Sequence, residues 1–282
     1  MNLLRTKADV HALKDRLRHE GWDLGLVPTM GALHEGHLQL VRRACAENDA
    51  VLVSIFVNPT QFNNPEDLRN YPRSLEGDLE KLRGLSCQIH VFAPDVAEMY
   101  GSKVASRQYD FRGMDQVMEG AFRPGHFDGV GTIVEHLLRL TGPQRAYFGE
   151  KDYQQLQIIR HMVRERGLPV EVVPCPIARE PDGLAMSSRN RLLPKRLRKR
   201  AGLIHQTLLE AKKRFGTKSA SQVKDYVEEV FEADSEFRLE YVEIADSTTL
   251  QPVVRKQRHK KYRAFIAAYL GGVRLIDNIA LN

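Results

Sequence analysis

Two histidines three residues apart, His34 and His37, lie within Pro28-Thr-Met-Gly-Ala-Leu-His-Glu-Gly-His37. At a helix start that spacing puts both imidazoles on one face. Gly36 between them leaves room for a ligand to approach the backbone. Unsatisfied N–H groups and the positive end of the helix dipole attract phosphate there, and imidazoles donate hydrogen bonds to it. The plainer alternative is a pair of surface histidines near a helix end. Zinc is a weaker reading, because Glu35 and the two histidines lack the H-E-x-x-H spacing and no third ligand is evident. Neither G-x-G-x-x-G nor G-x-x-x-x-G-K-[ST] occurs, so the commonest phosphate grips are missing.

Three further clusters carry polar groups, two where an apolar run ends and one at the proposed domain boundary. Asn58 and Gln61 follow the run Ala50-Val-Leu-Val-Ser-Ile-Phe-Val57, and their amides offer both donors and acceptors to a ligand with hydroxyls and a carboxylate. A turn built on Asn58-Pro59 is the alternative. In Phe148-Gly-Glu-Lys-Asp-Tyr-Gln-Gln155, Lys151 has the reach to meet a phosphate, and Asp152 can cap a helix or help hold magnesium. An ordinary capped helix explains the same residues. In Asp182-Gly-Leu-Ala-Met-Ser-Ser-Arg-Asn190, serine hydroxyls beside Arg189 form an anion clamp, or else a polar linker.

The elements that must position these groups follow from periodicity. Strand patterns at 23–27, 50–57, 88–92, 145–148 and 170–173 alternate with helical patterns at 38–47, 75–85, 127–140 and 153–166. Such alternation predicts an α/β fold, a Rossmann-like doubly wound parallel sheet with helices on both faces. Ligands of such sheets bind beyond the carboxyl ends of the strands, where three of the clusters fall. From about residue 177 the pattern changes to helices at 194–214 and 219–231, then strands at 238–244, 262–270 and 274–279. We expect two domains, residues 1–177 and a smaller α+β domain, 178–282.

The 282 residues are 42% hydrophobic and 28% charged, the profile of a soluble globular protein. No run approaches the roughly 20 apolar residues of a membrane span, and the first residues lack the apolar core of a signal peptide, so the expected location is cytoplasmic. Cys45, Cys87 and Cys175 are widely spaced and suggest neither a disulfide framework nor a zinc site. The net charge of +6 suits an anionic substrate as well as nucleic acid. The basic runs at 195–200 and 255–261 lack interleaved aromatics and read as solvated surface, so neither a nucleic acid nor a membrane partner is expected.

The histidine motif with the later Ser-Ser-Arg loop resembles the HIGH-motif nucleotidylyl transferases. The wording of Pro28–His37, Phe56–Phe62, Arg123–Phe127, Phe148–Asp152, Asp182–Asn190 and Leu275–Asn278, in that order, is similar to the pantothenate synthetase family over essentially the whole chain. The resemblance implies an ATP-dependent ligase that activates pantoate as an adenylate and joins it to β-alanine. It implies that Met30, Gly31, Ala32, Leu33, His34, Glu35, Gly36 and His37 line the ATP site. Gly149, Glu150, Lys151, Asp152, Ala178, Met186, Ser187, Ser188 and Arg189 would complete it.

His37, His34, Lys151 and Arg189 would carry catalysis by positioning and neutralising the phosphates. Gln61 and Gln155 would hold pantoate, and Gln61 with Asn58 the β-alanine position. Asp78 matches an acidic position near Mg2+, acting directly or through water, and Arg123 and His126 match a loop beside the site. A homodimer is also implied, as is closure of the second domain with Ser187-Ser188-Arg189 as lid. Thr60 stands where methionine is usual, and Glu135-His136-Leu137-Leu138 replaces another family stretch. Two rival readings are a nucleotidylyltransferase acting on a phosphate ester, which the amide set disfavours, and a catalytically silent binding module.

Overall fold

A computed structural model describes residues 1–282. The chain divides into two compact units: residues 1–115, 119–150 and 155–176 form the first, and 116–118, 151–154 and 177–282 the second. The first unit opens with β1 (Asn2–Leu4), α1 (Lys7–Glu20), β2 (Leu24–Thr29), α2 (Glu35–Glu47) and β3 (Ala50–Ile55). A 3-10 turn at Pro59–Gln61 leads to α3 (Pro65–Asn70), α4 (Leu75–Arg83), β4 (Gln88–Phe92) and α5 (Val96–Tyr100). Next come α6 (Glu119–Phe122), α7 (His126–Thr141) and β5 (Arg145–Gly149). A 3-10 turn at Glu150–Asp152, α8 (Tyr153–Glu165) and β6 (Glu171–Cys175) follow.

All six strands are parallel, in the order β1-β4-β3-β2-β5-β6. Their apolar content on both faces is what a sheet covered twice requires. Val27, Val51, Val53, Ile89 and Val91 point to the face packed by Val41 and Ala44 of α2 and Leu79 and Leu82 of α4. The alternate residues Leu26, Leu52 and Phe92 are equally buried. Strand order runs outward from β2 through β3 to β4 on one side and starts again at β5 on the other. The topological switch point therefore lies between β2 and β5, where such sheets bind ligands.

Five elements escaped the sequence pattern: β1, α1 and the short helices α3, α5 and α6. β1 has three residues, and α1 buries only Val10, Leu13 and Leu17 along a polar helix. Its ends are nonetheless encoded: Thr6 and Asp9 form a reciprocal capping box, and Gly21 closes it at φ 70°. The cysteine expectation needs correction. Cys45 on α2 is joined to Cys87 just before β4, across 42 residues of sequence, while Cys175 is free and buried. Spacing along the chain conceals a neighbourhood created by packing a helix on a sheet.

The second unit contains α9 (Lys195–Arg198), α10 (Leu203–Phe215), α11 (Ala220–Glu232), β7 (Phe237–Asp246), β8 (Tyr262–Leu270) and β9 (Val273–Ala280). The three strands are antiparallel in chain order. Ile204, Leu208, Val223, Val227 and Phe231 from the helices meet Ile244, Ala264, Ile266 and Leu275 in a core of their own. The continuous helix expected at 194–214 is broken between α9 and α10. Arg196, Arg198 and Arg200 pair with Glu236, Asp182 and Asp234, while Lys195, Arg196, Lys199 and Arg200 stay exposed, as expected of a solvated surface. No helix is long and apolar enough to cross a membrane.

Candidate active site

The histidine motif leaves β2 as a tight loop and enters α2. Gly31 has φ 79° and Ala32 φ 50°, the left-handed region that alanine rarely adopts. A Cβ on Gly31 would sit 3.1 Å from Asp78 Oδ2 as well. Asp78, on α4 and only 1% exposed, holds this loop. Its Oδ2 accepts the Ala32 N–H (2.9 Å) and its Oδ1 the Leu33 N–H (2.7 Å), while Lys81 Nζ donates to the Leu33 carbonyl (2.7 Å). From the strand side, Thr29 Oγ1 accepts the Gly31 N–H and donates to the Ser54 carbonyl. Both carboxylate oxygens of Asp78 are thus turned to the backbone of the histidine loop.

The two histidines form the N-terminal cap of α2 themselves. His34 Nδ1 accepts the Gly36 N–H (3.2 Å), and His37 Nδ1 accepts the His34 N–H (3.3 Å), a capping box built from imidazoles. The rings lie 4.0 Å apart, centroid to centroid. Because each Nδ1 accepts, the neutral rings carry their protons on Nε2. The cap thus selects the tautomer and turns each Nδ1 toward the backbone. Glu35, by contrast, turns out to the surface and pairs with Arg42.

Beyond the end of neighbouring β3, Asn58 precedes the 3-10 turn that holds Gln61. Asn58 is 1% and Gln61 8% exposed, so these amides are buried, as a core would not tolerate without partners. Asn58 Nδ2 donates to the Gly129 carbonyl of α7 (3.0 Å) and to Gln61 Oε1 (3.2 Å). Gln61 Nε2 lies 2.9 Å from Met30 Sδ, which brings the amide cluster to the histidine loop. The Arg123–Phe127 segment serves the same turn, since His126 Nδ1 (2.8 Å) and Arg123 Nη2 (3.4 Å) reach the Gln61 carbonyl. Tyr100, which the sequence reading passed over, donates its hydroxyl to Asn58 Oδ1 (2.5 Å). Burial raises its pKa. Gln155 lies partly exposed in the first turn of α8.

In the second unit, Lys151 occupies the turn before α8, with Nζ 3.5 Å from Asp152 Oδ1 and its carbonyl accepting Asn278 Nδ2 (2.9 Å). Asp152 therefore pairs with its neighbour. Met186 donates its N–H to the Ala178 carbonyl (2.9 Å), and Arg179 pairs with Ala185 across a short bridge. Ser187 caps the turn containing Ser188 and Arg189 by accepting the Arg189 N–H. Arg179 also makes a two-pronged bond to Asp277 (2.6 and 2.9 Å), which is 3% exposed. Asp277 and Asn278 of the last motif thus brace the loop of Ala178–Ala185 and the Lys151 turn. Matching sequence wording flagged them without a role; only their contacts supply one.

The fold is a doubly wound α/β sheet with a histidine-capped helix beyond its central strand. Comparison narrows it: the family model for pantoate–β-alanine ligase matches residues 2–280. The chain is 54% identical to the pantothenate synthetase of Christiangramia forsetii and 50% identical to that of Flavobacterium psychrophilum, each over 100% of both chains. The solved pantothenate synthetase of Thermus thermophilus superposes with a TM-score of 0.91 at 43% identity, covering 100% of this chain and 99% of that one. A pantoate–β-alanine ligase from Francisella tularensis, solved with β-γ ATP and β-alanine, gives 0.80 at 33% identity, with coverage of 100% and 98%. This chain belongs to the pantoate–β-alanine ligase family.

Proposed function

We propose that this chain ligates pantoate to β-alanine at the expense of ATP, through a pantoyl adenylate. The observation that carries the reading is the pairing of two clusters on adjacent strand ends. One is a helix N-terminus capped by two imidazoles, a place suited to phosphate. The other is the Asn58–Gln61 amide pair, suited to a hydroxy acid. The crystallised relative with β-γ ATP and β-alanine supports the same substrates here.

In the first step a pantoate carboxylate oxygen attacks the α-phosphorus, the bond to the bridging oxygen breaks, and pyrophosphate leaves. In the second the β-alanine nitrogen attacks the acyl carbon, loses its proton to solvent, and expels AMP. The chain contributes position and charge rather than covalent chemistry. His34 and His37 donate to phosphate, and Gln61 and Gln155 hold pantoate, with Gln61 and Asn58 at the β-alanine position. Lys151, Gly149–Asp152, Ala178 and Met186–Arg189 are assigned to the nucleotide from their motifs. Mg2+ is taken to arrive with ATP, with Asp78 beside it directly or through water, and no step is assigned to a metal held by protein. A cytoplasmic homodimer belongs to the same reading, with sedimentation at twice the 32.2 kDa chain mass expected.

The test is exchange of labelled pyrophosphate into ATP with pantoate present and β-alanine absent. Exchange that requires pantoate is the expected result. Folded protein showing no exchange would remove the adenylate from the mechanism. Lys151→Ala is expected to lower exchange by roughly 10²–10³ without loss of fold, and a variant at near-normal rate would remove Lys151 from the phosphate contacts.

A further inference from the structure

The hydrogen bonds around Asn58 have only one possible sense. Amide oxygen and nitrogen must be told apart by their partners. The Gly129 carbonyl can only accept, so the Asn58 atom 3.0 Å from it is Nδ2. Nδ2 has a second proton, and the Gln61 atom 3.2 Å away must therefore be Oε1. Gln61 Nε2 is then the end that faces Met30 Sδ, a weak acceptor. On the opposite side, Asn58 Oδ1 takes the Tyr100 hydroxyl at 2.5 Å. Thr60 Oγ1, 3.1 Å from both Oδ1 and the Tyr100 oxygen, closes a triangle. Gly129 permits the close approach: a Cβ there would fall 2.4 Å from the Thr60 carbonyl.

We infer that Tyr100 and Thr60 are positioning residues, whose hydroxyls lock Asn58 so that Gln61 presents N–H donors, and no acceptor, to its substrate. The inference rests on Gln61 contacting pantoate. It goes further by specifying what Gln61 reads there: an oxygen that accepts, either carboxylate or hydroxyl. A ligand with an amine or amide N–H in that place would meet donor against donor. Thr60, at a position where methionine is usual in the family, is here a second hydroxyl for Asn58 Oδ1. Either hydroxyl alone can satisfy that oxygen, and losing both leaves a buried acceptor unpaired.

The experiment is a cycle of Tyr100→Phe, Thr60→Val and the double variant, read as KM for pantoate and for ATP in pyrophosphate exchange. The double variant is expected to raise the pantoate KM about tenfold or more, beyond the product of the single effects, with the ATP KM changed less than about twofold. Thr60→Ser on the Tyr100→Phe background, which retains one hydroxyl, is expected to stay near the single-variant value. A double variant with unchanged pantoate KM overturns the inference, as does an equal rise in both KM values, the mark of a merely structural role. Gln61→Ala separates the two levels. If it leaves the pantoate KM unchanged, the substrate assignment of Gln61 falls, and the inference with it. If it raises that KM while the double variant does not, only the positioning pair is refuted.

Discussion

Helix N-caps are usually serine, threonine, aspartate or asparagine, whose oxygens accept a backbone N–H. His34 does this with Nδ1, so the capping atom belongs to the ring proposed to donate to phosphate. The roles separate in two variants. Asn at position 34 keeps an acceptor for the Gly36 N–H but loses the Nε2–H, so His34→Asn is expected to retain stability while exchange falls about 100-fold. His34→Ala loses both, with a further ~1 kcal/mol of stability. Near-normal exchange in His34→Asn would reduce the histidine to a cap.

His90 tests burial in the same way. It lies 3% exposed on β4 with Nδ1 unpartnered, and burial, with Arg16 and the chain's amino terminus adding, brings its pKa down to about 4. Below the unfolded value near 6.5 the unfolded chain takes up the proton and the folded one does not, so stability falls from about pH 6.5 to pH 4. The loss is on the order of 3 kcal/mol. Urea midpoints at pH 7 and 4.5 are expected to converge in His90→Leu relative to the parent; an unchanged pH dependence would rule His90 out as its source.

At the scale of elements, α4 shapes the loop between β2 and α2 through Asp78, holding Ala32 at φ 50°. Asp78→Asn turns an amide N–H2 toward a backbone N–H that needs an acceptor. A loss of about 1–3 kcal/mol is expected, together with a rise in the ATP KM that exceeds any rise for pantoate. Recovery at high magnesium would instead favour a metal role for Asp78. The loop also shows what sequence can and cannot reveal. The apolar runs of β2 to β4 and the motifs at their ends were readable because burial on both faces and strand-end chemistry leave local marks. The match of Asp78 to an acidic position near Mg2+ gave no sign that its oxygens accept the Ala32 and Leu33 N–H groups. Tyr100 and the Cys45–Cys87 link were invisible for a related reason, since their partners lie 42 residues away in each case. The break between α9 and α10 ends at Gly202, where a Cβ would lie 2.7 Å from the carbonyl oxygen of Asp182, 20 residues away along the chain.

For the whole molecule, the two units have separate cores, one built on the parallel sheet and one on α10, α11 and the antiparallel strands. Only the first contains the Cys45–Cys87 link, and only the first contains the single tryptophan, Trp22, next to the cap of α1. Tryptophan fluorescence therefore reports the first unit alone, whereas far-ultraviolet dichroism sums the helices of both. Chain entropy for a closed loop of 42 residues gives about 4 kcal/mol of stabilisation. Reductant is accordingly expected to move the fluorescence transition in urea to lower denaturant. The part of the dichroism transition that belongs to α10 and α11 is expected to stay in place, so that the two probes separate further on reduction. Coincident transitions that shift together would mean that the two cores unfold as one cooperative body. A fluorescence midpoint indifferent to reductant would mean that Cys45 and Cys87 are not bonded in solution, and that helix packing alone holds α2 against β4.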